Sequence, residues 1–190
     1  MHTILAARRS FVSCVIVVVG AVTSALAQSE TFSATASLKT ASGVSTTAPL
    51  TVVVNQFATE ADQAALVAAV KSGNTTAVRD WLQKRPDAGT LQLGSRRTPI
   101  KYVFGRTTAD GRLITVATAE PIVFAGAGVP GAKPTTGYEL GLVLLNLTPS
   151  GPGSGELSPA AKVRVDEQGA LVTEDYNAAA VVHLSNVLKK

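Results

Sequence analysis

Three acidic residues and one histidine are the side chains of this chain best suited to hydrolytic chemistry. Glu139, Glu174 and Asp175 supply carboxylates, and His183 is one of two histidines in the 190 residues. An imidazole or a carboxylate that lies beside a water or a hydroxyl can act as a general base. One hypothesis is therefore a carboxylate-dependent hydrolase that uses Glu139, Glu174 or Asp175 with His183.

Three features of the sequence weaken the hydrolase hypothesis. Glu174 and Asp175 are adjacent, so in a strand they point to opposite faces and cannot act as a pair on one substrate. No G-x-S-x-G sequence is present to hold a nucleophilic serine on a strained turn. His183 lies in AVVHLSNV, where alternation places Leu184 and Asn186 on the opposite face, a pattern typical of an ordinary strand histidine.

Metal and cofactor chemistry has little support in the composition. The histidines are His2 and His183, and the one cysteine, Cys14, lies in an N-terminal apolar run. Because zinc sites use histidine and cysteine ligands in groups of three or four, no metal site and no cofactor is predicted. The Gly-Ala-Gly at 126–128 lacks the helix and the lysine of a phosphate-binding loop, so residues 125–137 are predicted to be a Gly- and Pro-rich connection.

The N-terminus has the pattern of a secretory signal peptide. Arg8 and Arg9 precede an apolar run, and Ala-Leu-Ala at 25–27 is a small-x-small cleavage site. The run is shorter than the ~20 apolar residues that span a membrane, and a retained anchor is the alternative. We therefore predict a cleaved signal peptide, residues 1–27, and a secreted or periplasmic single domain, residues 28–190, without a membrane span or a cysteine.

Charged residues are unevenly distributed along the mature chain. Residues 79–112 contain eight basic and three acidic residues, whereas residues 139–175 contain two basic and six acidic ones. A candidate patch for an anionic partner comprises Arg96, Arg97, Lys101, Arg106 and Arg112. Such a patch could attract an anionic surface or polymer, and the alternative is two solvated faces of opposite charge. The net charge of +4, of which Arg8 and Arg9 contribute two, does not favour nucleic acid.

The most strongly helical stretch is TEADQAALVAAVKSGNTTAVRDWLQKR. Thr59 is a suitable N-cap, and Asp62 lies in the first turn, where the helix dipole favours negative charge. Gly73 ends the first helix, and Asn74 or Thr75 caps a second. Helical spacing predicts a hairpin with one shared buried side, formed by Gln63, Leu66, Val67, Val70, Ala77, Val78, Trp81 and Leu82. An ankyrin-type interpretation would need a second copy of the repeat, and the sequence contains none.

The rest of the mature chain is rich in strand-forming residues. Phe32, Ala34, Ala36 and Leu38 alternate with polar residues, as in a strand with one buried face. Ala-Asp-Gly at 109–111 predicts a hairpin, YELGLVLLNL predicts a central strand covered on both sides, and the last four strands are predicted to form an antiparallel meander. The predicted fold class is α+β, a mostly antiparallel curved sheet or partly closed barrel with one helical hairpin packed against it.

Several short strings carry a family resemblance. TVVVNQF, WLQKRPDAG, TPIKY, DGRLITVATAEPI, GELSPAAKVRVD and EDY occur in this order after the predicted signal. Together they resemble an uncharacterised family of small exported bacterial proteins with no assigned activity. The resemblance implies a setting in the bacterial envelope or outside the cell, and it implies no catalytic residue.

Export, a β-rich shell and the lack of a catalytic constellation favour a non-catalytic secreted or periplasmic module. Its predicted partner is another protein or a small apolar ligand. The candidate ligand-binding residues are Trp81, Phe104, Tyr138 and Leu142, which would line a cavity under the helical hairpin. The hydrolase with His183 is the alternative function.

Overall fold

The structure is a computed structural model that describes residues 29–39, 45–73, 75–124, 137–176 and 182–190. The predicted signal peptide, the candidate cap Asn74 and all but the last residue of the predicted loop lie outside them. None of the helices in this part of the chain is long and apolar enough to cross a membrane.

The described residues form two helices and ten strands. The helices are α1 Glu60–Lys71 and α2 Thr75–Gln83. The strands are β1 Glu30–Lys39, β2 Ser45–Val54, β3 Gly89–Leu93, β4 Arg96–Ile100, β5 Tyr102–Thr108, β6 Gly111–Thr118, β7 Leu140–Thr148, β8 Gly151–Val165, β9 Leu171–Tyr176 and β10 Val182–Lys189.

The strands form one antiparallel sheet that curves into a nearly closed barrel. Their order is β4-β3-β2-β1-β10-β8-β7-β6-β5, with β9 paired to β8. The first and last strands of this order are consecutive in the chain, separated only by Lys101, whose backbone N–H donates to Ala117 O on β6 at 3.0 Å. The chain itself therefore brings the two ends of the sheet together. This architecture confirms the predicted α+β fold class, a mostly antiparallel, partly closed barrel with a helical hairpin packed against it.

Strand alternation fills the barrel. Phe32, Ala34, Ala36 and Leu38 of β1 are all buried, while the residues between them are partly exposed, as predicted. The neighbouring strands supply inward side chains in the same way, and apolar residues from both halves of the sheet form one cluster. Burial of apolar surface, at roughly 25 cal/mol per Å², is the main force that closes such a sheet.

The two helices pack on the outer face of the barrel, against the half that contains β5 to β9. Leu66 of α1 and Val78 and Leu82 of α2 are buried there with Tyr102 of β5 and Leu140 of β7. This second cluster confirms the predicted buried side of the hairpin at Leu66, Val78 and Leu82, with Val70 and Trp81 partly buried against it. The other predicted members, Gln63, Val67 and Ala77, are only partly buried and lie outside the cluster.

The residues of β5, β7 and β8 that the helices cover are apolar, and they are Tyr102, Leu140, Leu142, Ala161 and Val163. In contrast, the outward residues of β1 between Thr31 and Ser37 are serine and threonine.

The first helix begins as predicted. The Thr59 hydroxyl accepts a hydrogen bond from Asp62 N–H at 3.2 Å, and Thr59 N–H donates to Asp62 Oδ2 at 2.9 Å, which completes a capping box. Arg85, just after α2, also binds the Asp62 carboxylate at 2.7 Å. The backbone hydrogen bond from Thr59 is the largest cause of a lowered Asp62 pKa. Asp62 therefore completes the N-terminal cap of α1 and also links the start of α1 to the end of α2 through its contact with Arg85.

Thr59→Ala is expected to reduce the free energy of unfolding by about 1 kcal/mol, because Asp62 N–H loses its acceptor. Thr59→Ser keeps a hydroxyl at the same position and should retain most of the stability. Urea denaturation of the three proteins at pH 7 measures the effect. Equal losses for alanine and serine would show that the methyl group, and not the cap, stabilises this site.

The predicted C-terminal meander is wrong at its last strand. β10 does not pair with β9; it lies between β1 and β8. The reason is the length of β8, which has 15 residues. Its first part, around 153–157, pairs with β10, and its last part, 161–165, pairs with β9. A single long edge therefore accommodates two strands, and β10 connects the two halves of the sheet.

The alternation predicted for β10 also breaks before its end. Val182 and Leu184 are buried and His183 is exposed, as alternation requires. Asn186 has a positive φ of 53°, and the register shifts between Ser185 and Val187. This bulge leaves Asn186 exposed and turns Val187 into the core instead.

Candidate functional site

Three of the four candidate ligand-binding residues, Trp81, Phe104 and Leu142, pack in the cluster under the helices, and Tyr138 lies outside it. The Trp81 ring meets Tyr102 edge-on with centroids 6.2 Å apart, and Phe104 stacks on Tyr102 at 6.4 Å. Leu142 is only 1% exposed and belongs to the same cluster under the helices. These side chains hold α1 and α2 on the sheet, and the cavities found among the described residues are lined by others.

Each acidic residue of the hydrolase hypothesis already has a structural partner. The Tyr138 hydroxyl donates to Asp175 at 2.7 Å, and this hydrogen bond is the largest cause of a raised Tyr138 pKa. Lys162 donates to Glu174 at 3.1 Å. Glu139 lies 3.2 Å from Arg79 of α2.

The structure does not bring Glu174 and Asp175 to His183. His183 lies opposite Glu156 on β8, whereas Asp175 lies opposite Lys162 on the same edge of that strand. The two positions on β8 are six residues apart in the chain, a separation of roughly 20 Å at about 3.3 Å per residue. A hydrolytic site made from these groups would need them within hydrogen-bond reach of one substrate.

The actual neighbours of His183 are its cross-strand partners. Ser37 on β1 lies opposite it on one side, and Glu156 on β8 lies opposite it on the other. An acid, an imidazole and a hydroxyl therefore stand in one row, beside an open depression of about 540 Å³. The Ser37 hydroxyl donates to the backbone oxygen of His183 at 3.3 Å, and in the described part of the chain no hydrogen bond joins the imidazole to either side chain. The row lacks the aligned contacts that activate a serine.

The candidate anionic-partner patch is largely neutralised. Three of its cations each contact a carboxylate: Lys101 with Asp87 at 2.6 Å, Arg106 with Asp166 at 3.0 Å, and Arg112 with Glu30 at 2.7 Å. Arg96 and Arg97 are exposed, and neither forms an ion pair with any described residue. They lie at the start of β4, directly after a turn formed by Gly94 and Ser95.

A groove beside β4 has the size of a ligand site and a lining of mixed polar and apolar residues. This groove, which we name the seam groove, runs between β4 and residues 119–123 and is bounded by α2. It consists of two adjoining cavities of about 330 and 310 Å³, which share Gln83, Ala119 and Glu120. Small-molecule sites are typically concave, several hundred Å³ in volume, and lined by apolar side chains with a few polar groups.

The geometry of the barrel explains the seam groove. At Lys101 the chain leaves the β3–β4 ladder and joins the β5–β6 ladder. β4 and the segment that follows β6 therefore diverge from this point, and the space between them is the groove. Thr98 and Pro99 of β4 form one wall of it, and Ala119 and Glu120 form the other.

The wall after β6 is held rigidly. The Thr118 hydroxyl donates to Glu120 O and accepts from Gly141 N–H. The backbone N–H of Ile122 donates to Pro159 O at 2.8 Å. These bonds fix the backbone and leave the Glu120 side chain exposed, without an ion pair to any described residue.

Arg79 and Glu139 form the inner end of the seam groove. Arg79 Nη1 lies 3.2 Å from Glu139 Oε2, and the Glu139 side chain is 14% exposed. By distance this is an ion pair, but Arg79 Nε and Glu139 Oε2 are both buried without a hydrogen-bond partner among the described residues. Buried polar atoms of this kind are costly unless a water or a ligand satisfies them.

The sequence alone does not reveal most of this groove. It offers Glu139 as a candidate for catalysis but assigns no role to Arg79 or Gln83. The spacing on α2 is the available signal, because Arg79 and Gln83 lie one turn apart in a row beside the buried Val78 and Leu82.

No family model matches the sequence, and neither a curated protein nor a solved structure matches the chain. The resemblance to small exported bacterial proteins therefore stays a prediction.

Proposed function

We propose that this protein is a non-catalytic, secreted or periplasmic binding module that holds a small polar ligand in the seam groove. The observation that carries the proposal is the pair of adjoining cavities, of about 330 and 310 Å³, with charged groups at defined positions. The apolar ligand expected from the sequence finds less support, because the apolar residues under the helices are packed against one another.

The lining indicates a ligand with both an amine and an acid group. Glu120 offers a carboxylate without an ion pair to any described residue, and Arg79 offers an unpartnered N–H at the inner end. Ala119, Pro121 and Val123 provide apolar contact between them. Peptide segments carry amine, acid and apolar groups together. Charge-assisted hydrogen bonds to both ends would orient such a ligand.

A titration of the purified protein with a small-molecule fragment library tests the proposal. The library contains zwitterions, amines, acids and uncharged apolar compounds, and backbone amide NMR shifts are recorded. We expect zwitterions to bind preferentially and to shift Gln83, Ala119 and Glu120. Glu120→Gln should weaken their binding by about tenfold, equivalent to 1.4 kcal/mol.

Glu167→Gln is the matched control, because Glu167 is an exposed carboxylate in the β8–β9 turn, away from the groove. It should leave fragment binding unchanged. Preferential binding of apolar fragments, or equal binding by the Glu120→Gln variant, would reject the proposed site. Intact mass of protein recovered outside the cytoplasm tests export separately, with a mature chain expected to start at residue 28.

A further inference from the structure

One side of β4 has no strand partner in the described part of the chain. β4 is the first strand in the sheet order and pairs only with β3. Its other side faces the seam groove, where Thr98 and Pro99 form the wall. An unpaired strand edge presents backbone donors and acceptors that can pair with another extended segment.

The charge at this edge is positive. Arg96 and Arg97 are adjacent in the strand, so they project to opposite faces of the sheet and flank the edge. Arg97 Nε donates to Gln92 Oε1 on β3 at 3.3 Å, which draws the guanidinium toward the β3 side of the strand. Both are exposed, and neither forms an ion pair with any described residue, in contrast to Lys101 at the other end.

We propose that the ligand of the seam groove is an acidic, extended peptide segment of another protein, which adds to β4 as a further strand. Its acidic residues would lie beside Arg96 and Arg97, and an amine-bearing residue would face Glu120 across the groove. This inference rests on the proposed function of the groove and adds the class of ligand. Strand addition to an exposed edge is an established mode of peptide recognition, in which backbone hydrogen bonds give affinity and side-chain contacts give specificity.

Pro99 limits how the edge can be used. Proline has no backbone N–H, so it cannot donate to an added strand. Pairing is therefore concentrated on 96–98, the segment that contains the two arginines. A proline and charged residues at an edge also oppose uncontrolled pairing between copies of the same protein.

A selection of random decapeptides displayed on phage, performed on the purified protein, tests the inference. We expect the enriched peptides to be acidic and rich in β-branched residues. A synthetic representative should lose about tenfold or more in affinity when alternate backbone nitrogens are methylated, because methylation removes the donors that pair with β4. The double variant Arg96→Glu with Arg97→Glu should bind this peptide at least about tenfold more weakly.

The matched control is Lys71→Glu with Lys84→Glu, which reverses two exposed cations near the ends of α1 and α2 and changes the net charge equally. It should leave peptide affinity nearly unchanged. Thermal unfolding of both double variants confirms that they are folded, which is expected because all four side chains are exposed.

The outcomes separate this inference from the proposed function. Enrichment of neutral or basic peptides, or equal weakening by both double variants, overturns the β4 inference. If zwitterionic fragments still shift Glu120 in that case, the groove remains a ligand site for another class of molecule. If neither fragments nor peptides affect the groove, both proposals are rejected.

Discussion

Leu82→Ala is expected to lower the free energy of unfolding by about 2–5 kcal/mol, a larger loss than we expect for Thr59→Ala or Glu30→Gln. Leu82 is fully buried, at 0% exposure, between α2 and the outer face of the sheet, in the cluster that contains Leu66 and Tyr102. Its truncation removes apolar contacts and leaves a cavity that rigid neighbours cannot fill.

The effect should extend to the seam groove. α2 has nine residues, too few to be stable as an isolated helix, so its packing against the sheet holds it in place. Arg79 and Gln83 lie on α2 and line the groove. We therefore expect fragment binding to weaken in the Leu82→Ala variant along with its stability.

Urea denaturation at pH 7 measures this loss, with the fluorescence of the single tryptophan, Trp81, as a local probe of α2 docking. Lys84→Ala is the control, because Lys84 is exposed just after the helix and should change stability by less than about 0.5 kcal/mol. A Leu82→Ala variant as stable as this control would show that α2 is not held by the buried cluster.

Glu30→Gln is expected to reduce the free energy of unfolding by about 1.5–3 kcal/mol at pH 7, the range for hydrogen bonds to charged groups. The Glu30 side chain, 16% exposed, accepts from Arg112 at 2.7 Å and from Lys189 at 2.8 Å. The Arg112 guanidinium also lies 4.9 Å from the centre of the Phe57 ring. Glutamine has a similar shape but provides neither the negative charge nor a second acceptor oxygen.

The stabilisation by Glu30 should depend on pH. Burial raises the pKa of Glu30, but the hydrogen bonds from Lys189 and Arg112 outweigh it, so the pKa lies below its ordinary value of 4.5. A carboxylate whose pKa is lowered by folding contributes fully above its unfolded-state pKa and loses that contribution as pH falls through the folded-state pKa. The stability difference between wild type and Glu30→Gln should therefore be constant near neutral pH and shrink below about pH 4.5.

Urea denaturation of both proteins between pH 7 and pH 3 checks this result. Glu167→Gln, at an exposed carboxylate without an ion pair to any described residue, should show little difference from wild type across the same range. If the difference in the free energy of unfolding between wild type and Glu30→Gln persists unchanged at pH 3, the carboxylate charge does not stabilise this end of the barrel.

Local features of the fold were predictable from the sequence because they depend on neighbouring residues. The capping box requires only Thr59 and Asp62, three residues apart. The alternation of Phe32 with polar residues marks the inner face of β1 without reference to any other strand. Capping and alternation patterns of this kind were enough to predict a curved antiparallel sheet with a helical hairpin packed on it.

Strand order and the candidate site required the tertiary structure. Nothing near His183 in the sequence indicates that β10 pairs with β8 and β1, and so the sequence does not identify Glu156 and Ser37 as its neighbours. The sequence likewise does not identify Arg112 as a partner of Glu30, because the two residues are far apart in the chain. Neighbours of this kind are set by the register between strands, which the sequence of one strand does not specify.

Patterns along the chain were enough to locate both helices and most strands, to mark the apolar side of each, and to exclude common catalytic motifs. Folding of the whole barrel was needed to set where the sheet stays open, which cations remain unpaired, and that Arg79, Gln83 and Glu120 share one groove. The difference follows from the range of the interactions. Caps and periodicity act within a few residues, whereas the seam groove exists because β4 and the segment after β6 diverge at Lys101, a consequence of how the whole barrel closes.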